Sequence, residues 1–465
     1  MARTKFIEKV GYGFGDMSSS MFWKIFSYYL PFFYSNIFGL SLVDAGVLVL
    51  VTRIWDALSD PMMGIIADRT STKWGKYRPY LLWVAPFFSI CGILLMTTPD
   101  LNYGGKLIWA YVTYIMMTTV YTCVNVPYGA MLGVMTDDSN EKTVFSSFRM
   151  FFAFGGSFLA LLLWEPLTGL AGGYNSTSGW FVSMVVISVA CFVMFLLSFL
   201  LTKEHLRTIS TVSVRNDFKA LLDNKPWWLL VGAALCNNLF NTVRGATVAY
   251  FFQDIIGANV SMAFFGIIFV FYAGLFLGVG EVANMIGVAS CVPVANKLGK
   301  KLTFIVVNAF LVLLSCVFFF IPTTPSGYWA MLIIQVVISL LTGILSPLVW
   351  SMFADVSDYA ELKYHTASTG LIMSSASMAQ KFGGAIGGAA VLWLLSAFGY
   401  VTDTQLLQGA VVQPHSALQC LRWLMSFVPA VVALLCIVVV WFYPLTTHRI
   451  NEINVELKKE RAMEA

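Results

Sequence analysis

The chain has 465 residues, 58% of them hydrophobic and only 11% charged, with a mean hydropathy of +0.77. Soluble proteins carry about 25% charged residues, so this composition excludes a surface facing water on all sides and fits one facing lipid. The net charge of +4 is spread over short loops and does not form a nucleic-acid-binding patch.

Twelve apolar stretches reach the length of about 20 residues that a bilayer requires. They cover 12–38, 43–67, 80–98, 107–134, 146–171, 180–201, 227–254, 261–292, 302–321, 328–353, 371–398 and 418–443. The first follows a short basic N-terminus, Met1–Gly11, and is too long for a cleavable signal, so it is expected to stay as the first span. The eight cysteines lie in or beside apolar runs, without metal-ligand spacing. Of the 28 Lys and Arg, Lys24, Arg53, Arg149, Arg244, Lys381 and Arg422 fall within spans or near their ends. With both termini inside, Lys106 alone falls outside and all the others lie on the cytoplasmic side. That asymmetry predicts a multi-pass protein with cytoplasmic termini.

The longest polar connection, near the middle, carries Lys203, Arg207, Arg215, Lys219 and Lys225. Basic, glycine-containing turns follow the second and eighth spans, at Lys73–Arg78 and Ala295–Lys301. The repeat predicts an all-α membrane protein of twelve helices in two six-helix bundles, with a site between them. The expected division is a first bundle at 1–204, a cytoplasmic middle loop at 205–226, a second bundle at 227–445 and a cytoplasmic tail at 446–465.

The second span carries Arg53, Asp56 and Asp60, at positions i, i+3 and i+7 of one helical stripe. A charge in hydrocarbon costs at least about 2.5–3.5 kcal/mol, and two carboxylates four residues apart raise that cost. Such a cluster requires a partner, a cation or a wet cavity. Lys381 lies about ten residues into its span, too deep to reach the interface easily, and Asp56 or Asp60 is its natural partner. Gly383, Gly384, Gly387 and Gly388 follow it as interleaved small pairs and read as a packing face. Arg244 and Glu281 read as a structural pair, Asp355 and Asp358 as a solvated or gating turn, and His365 as a lone loop histidine.

Seven motifs in order carry a resemblance over nearly the whole chain. They are Gly11–Asp16, Arg53–Pro61, Gly75–Pro79, Val126–Tyr128, Arg149, Asp355–Glu361 and Lys381. In these the chain resembles the glycoside–pentoside–hexuronide cation symporters, a branch of the major facilitator fold that includes the melibiose permease. The resemblance implies a coupling-cation site at Asp56 and Asp60 with Thr122. It also implies a sugar site at Asp16 and Arg149, with Lys381 near both. Ser59 and Thr122 add hard oxygens that suit Na+, and one carboxylate of a close pair equally suits H+.

The permease has aspartate where this chain has Asn125, tryptophan where it has Gly129 and asparagine where it has Ser59, so galactoside specificity does not follow. Asn125, Tyr128, Trp23 and Trp350 complete the expected substrate site, the aromatic rings as stacking surfaces, with Tyr28 and Tyr121 as further candidates.

The function expected is secondary active import of a sugar or glycoside with Na+ or H+, by alternating access. The protein is expected in a bacterial inner membrane, working as a monomer, with no cofactor, no nucleic-acid partner and no catalysis. A lysolipid or other organic-solute carrier of the same fold is the alternative. An intramembrane aspartyl protease is more remote: Gly13–Asp16 matches its Gly-x-Gly-Asp motif, but the motif order is wrong and no Pro-Ala-Leu follows.

Overall fold

The computed structural model describes residues 5–136, 139–205, 222–257, 260–264, 267–364, 369–402 and 412–464. His365 and most of the middle loop, including Arg207, Arg215 and Lys219, lie outside the described residues. The first half contains α1 (Phe6–Tyr28), α2 (Leu42–Arg69), α3 (Ala85–Leu95), α4 (Tyr103–Met135), α5 (Ser139–Leu170) and α6 (Thr177–Leu201). The second half contains α7 (Lys225–Phe251), a hairpin of β1 (Val260–Phe264) and β2 (Ile267–Phe271), α8 (Ala273–Leu298), α9 (Lys300–Phe319), α10 (Pro325–Tyr364), α11 (Thr369–Ala397), α12 (His415–Met425), α13 (Phe427–Trp441) and α14 (Thr447–Glu464). Among the described residues, eight helices are long and apolar enough to cross a membrane.

Several expected spans differ in form: the first leaves α-helix at Tyr28 and includes a π-helix at Phe33–Ile37, and the seventh runs into another at Phe252–Ile256. Residues 261–292 do not make one helix, because β1 and β2 pair antiparallel with Val260 opposite Phe271 and Phe264 opposite Ile267, and α8 begins only at Ala273. The run Ile267–Phe271 is β-branched and aromatic, which suits a strand, and a short apolar run does not distinguish strand from helix by periodicity. The third span is interrupted at Val84, between a short α-helix at Pro79–Trp83 and α3. Pro86 lacks the N–H that would continue the ladder there. The last span breaks at Ser426. Pro429 leaves the Met425 carbonyl without its helical donor, and Arg244 Nη1 donates to that carbonyl at 2.5 Å.

The chain divides into two compact units. The first comprises 1–210, 245–282 and 388–420, and the second 211–244, 283–387 and 421–465. In the first unit, α2 is capped by Ser41 Oγ, which accepts from Asp44 N at 3.1 Å. Ile54, Leu58, Met62, Ile65 and Ile66 leave one face of α2 exposed, while Arg53, Asp56 and Ser59 are buried on another. A lipid-facing side and a polar interior side on one helix are what the sequence stripe requires.

Gly75 of the motif turn has φ +119°, a region that favours glycine. An added Cβ there would lie 2.5 Å from the Glu204 carboxyl carbon. Glu204 accepts from the amides of Lys76 at 2.7 Å, Tyr77 at 2.7 Å and Arg78 at 2.6 Å. Successive N–H groups converging on one carboxylate form an anion nest, here filled by the chain itself.

In the second unit, α11 packs closely on α7, and an added Cβ at Gly383 would lie 2.5 Å from Leu235 O. The packing role expected of this glycine run holds there. The unit's core joins Phe304, Val307, Leu348, Met352, Phe353 and Val356. Lys300 pairs with Asp355 at 2.7 Å, and Lys301 donates to the Trp441 and Tyr443 carbonyls at 2.7 and 2.8 Å, where a cation suits a helix C-terminus.

Candidate functional site

Two polar constellations lie in the first unit, and α1, α2, α4 and α5 position them. The first joins α2 to α4. Thr122 Oγ1 lies 3.2 Å from Asp56 Oδ1 and 3.1 Å from Asp60 Oδ1. Ser59 Oγ donates to the Asp56 carbonyl at 2.9 Å and lies 3.2 Å from Thr122 Oγ1. Asp56 and Thr122 are each 1% exposed. The helical period brings Asp56, Ser59 and Asp60 to one side of α2, and Thr122 meets them from α4. Pro61 follows Asp60 directly, so one backbone hydrogen bond of α2 is missing beside the cluster. The arrangement offers carboxylate and hydroxyl oxygens, a donor set that suits a small hard cation or a proton. Among the described residues, no group of three or more His, Cys, Asp and Glu is placed to hold a metal ion.

The second constellation joins α1 to α5. Arg149 Nε lies 2.9 Å from Asp16 Oδ2, with the aspartate side chain 13% exposed and the arginine 31%. The arginine carbon sits 5.4 Å from the centre of the Tyr128 ring. Tyr128 stacks on Tyr12 at 4.7 Å and donates to the Tyr12 carbonyl at 2.5 Å. Gly15 permits this approach, since an added Cβ would meet Tyr128 Cε2 at 2.4 Å. Tyr128 is 1% exposed, so its ring supports the ion pair rather than presenting a bare face.

Trp23 of α1 lies under Arg53, 4.1 Å from guanidinium carbon to ring centre, and 5.6 Å from the Tyr121 ring. Asn125 Nδ2 donates to Tyr121 OH at 3.4 Å, and Asn125 Oδ1 is buried with no hydrogen-bond partner among the described residues. Trp350 and Lys381 belong to the second unit. Trp350 is half-buried against that unit's apolar core, and Lys381 is half-buried in α11.

Arg244 and Glu281, expected as a pair, each have partners within their own unit. Arg244 donates to Met425 O and, at 2.8 Å, to Gln335 Oε1, while Glu281 pairs with Lys24 at 2.6 Å. Both charges lie in apolar spans, and no local pattern in the sequence names either partner. Glu165 carries no such signal either. This half-buried carboxylate accepts from Tyr29 OH at 3.1 Å and Gly274 N at 3.0 Å.

Residues 11–447 match the family described as MFS/sugar transport protein. The chain belongs to this family. Among its relatives, the inner membrane symporter YicJ of Escherichia coli is 35% identical over 97% of this chain and 94% of its own length. The putative glycoside/cation symporter YagG of the same organism is 33% identical over 98% and 95%. The isoprimeverose transporter of Lactiplantibacillus pentosus is 32% identical over 85% and 81%. These relatives bear out the resemblance to the glycoside–pentoside–hexuronide symporters. A solved bacterial homologue of the human drug peptide transporters PepT1 and PepT2 superposes with a TM-score of 0.69 at 13% identity, covering 98% of this chain and all of the other. That likeness shows the major facilitator fold.

Proposed function

We propose that this MFS/sugar transport protein imports a sugar or glycoside together with a coupling cation, Na+ or H+, by alternating access. No bond is made or broken in this cycle. The observation that carries the reading is the pairing of two separate polar centres in one unit. Asp56, Ser59, Asp60 and Thr122 gather oxygen donors for a cation, while Asp16 and Arg149 place an acceptor beside a fork of donors. Sugar hydroxyls are well held by charged groups that accept and donate together. The relatives named for a glycoside and for isoprimeverose support a glycoside or pentoside cargo.

In this reading Asn125 and Trp23 line the sugar path, Tyr128 props Arg149, and Trp350 and Lys381 are the second half's candidate substrate residues. The helices group as six plus six, in bundles 1–204 and 227–445, with both termini cytoplasmic and the monomer as the working unit. The cation gradient drives uptake because the loaded and empty carriers reorient while the half-loaded carrier does not.

Purified protein in liposomes tests the proposal. Uptake of labelled glycosides is measured under an imposed sodium gradient without a pH gradient, and under the converse. Accumulation with one gradient is expected, and its identity names the cation. If neither gradient concentrates any glycoside that the protein binds, coupled transport is wrong.

A further inference from the structure

Helix α8 enters the first unit with residues 273–282 and is held there by polar contacts from the first half of the chain. At its first turn, Glu165 of α5 accepts from Gly274 N at 3.0 Å. Tyr272 OH donates to Leu162 O at 2.8 Å, a carbonyl that Pro166 leaves without a helical donor. About two turns further along α8, Lys24 Nζ of α1 lies 2.6 Å from Glu281 Oε1. Lys24 also donates to Tyr28 OH at 3.3 Å. An added Cβ at Gly245 of α7 would lie 2.0 Å from the Tyr28 ring. The same seam continues through Ser35 to Tyr250 at 2.7 Å, Asn36 to Tyr400 at 3.2 Å, and Tyr400 to Asp254 at 2.6 Å.

The glutamate side chain is 3% exposed and the lysine 21%. Glu281 Oε2 is buried with no hydrogen-bond partner among the described residues. Burying a carboxylate with one oxygen unpartnered is costly, and that cost favours a contact that can part. Beside the packing of Tyr28 on Gly245 and of Phe32 on Tyr250, the seam is held by hydrogen bonds and one ion pair, which water replaces when the helices part.

We propose that Lys24 and Glu281 form a latch between the two halves of the chain that closes the outer side of the transport path and parts once in each cycle. The inference rests on the two-bundle, alternating-access reading above. Its direction follows from electrostatics. Removing one charge leaves the other buried and uncompensated, and hydration by opening the seam relieves it. Single neutral variants therefore shift the population toward the open state.

The test places a reporter at Ser35, which is fully buried, as Ser35→Cys in the full chain. A membrane-impermeant maleimide is applied to right-side-out and to inside-out vesicles, and labelling is read by peptide mass spectrometry so that the native cysteines do not interfere. Glu281→Gln and Lys24→Met are each expected to raise the labelling rate about tenfold or more, from one face only, as a minor state becomes populated. The charge-exchanged pair, Lys24→Glu with Glu281→Lys, is expected to return it toward the parent rate. Glu281→Asp keeps the charge with a shorter reach and serves where Glu281→Gln does not reach the membrane. A smaller rise is expected from it, and no rise would overturn the latch. Unchanged labelling in both neutral variants, or labelling as fast in the exchanged pair as in the single ones, would also overturn it. The face from which labelling rises tests the orientation separately. A parent protein that binds sugar without coupled uptake would sink the transport reading while leaving the labelling pattern to decide the latch.

Discussion

Thr122 stands between two carboxylates, 3.2 Å from Asp56 and 3.1 Å from Asp60. A hydroxyl has one proton to give and two lone pairs to offer. It donates to one aspartate at a time and keeps an oxygen available to a cation. The two like charges on neighbouring turns then favour any positive species that enters between them.

Neutralising either carboxylate removes that attraction. Asp56→Asn and Asp60→Asn are each expected to abolish uphill sugar accumulation while leaving sugar binding and downhill exchange. Uptake and exchange assays in vesicles separate the two, and a variant that still concentrates sugar would exclude its carboxylate from coupling.

Thr122→Val keeps the shape and loses the hydroxyl. A neutral hydrogen bond contributes about 0.5–1.5 kcal/mol, so the cation concentration for half-maximal uptake is expected to rise roughly two- to tenfold. Thr122→Ser is expected to behave as the parent does. Equal cation dependence in all three proteins would remove Thr122 from the site.

Asp16 and Arg149 bear on the sugar. A hydrogen bond to a charged group contributes about 1.5–3 kcal/mol, so Asp16→Ala or Arg149→Ala is expected to weaken sugar affinity by about tenfold to more than a hundredfold. Calorimetric titration of purified protein measures this, with a melting curve to show that the variants fold.

Gly15→Ala pushes a methyl group onto the Tyr128 ring, where an added Cβ would sit 2.4 Å from Cε2. Overpacking of this kind costs about 1–3 kcal/mol. A lower melting temperature and weaker sugar binding are expected together, since Tyr128 props Arg149. Loss of stability with unchanged affinity would separate the prop from the sugar site.

For orientation, engineered cysteines near Gly39 and Asn102 are expected to react with an impermeant reagent from outside the cell, and one near Ser71 is not. Labelling near Ser71 in sealed, right-side-out cells would overturn the cytoplasmic placement of both termini.

Much of the first constellation was readable from spacing. Arg53, Asp56 and Asp60 sit at helical intervals, and the cost of burying charge in lipid singled them out; Ser59 entered only as an added hard oxygen. Thr122 lies 62 positions from Asp60, and no local rule links them; the family resemblance supplied it. Lys24 and Glu281 are 257 positions apart, and each reads from sequence only as an unexplained charge. The hairpin before α8 was hidden because a strand and a buried helix share the same apolar composition. The last span was read as continuous over 418–443, although Pro429 lies inside it, and the donor from Arg244 that satisfies the freed carbonyl is a property of packing.

The nest around Glu204 has a consequence for how this chain tolerates change in length. Its carboxylate is three residues beyond the end of α6 and meets three consecutive amides at 2.6–2.7 Å. One residue of extended chain spans more than 3 Å. An insertion or deletion between Leu201 and Glu204 would therefore draw the carboxylate out of reach of all three amides at once. A side-chain change at Lys203, which is exposed, would leave them untouched. This junction is open to substitution and closed to insertion, so a fusion or epitope tag belongs after His205.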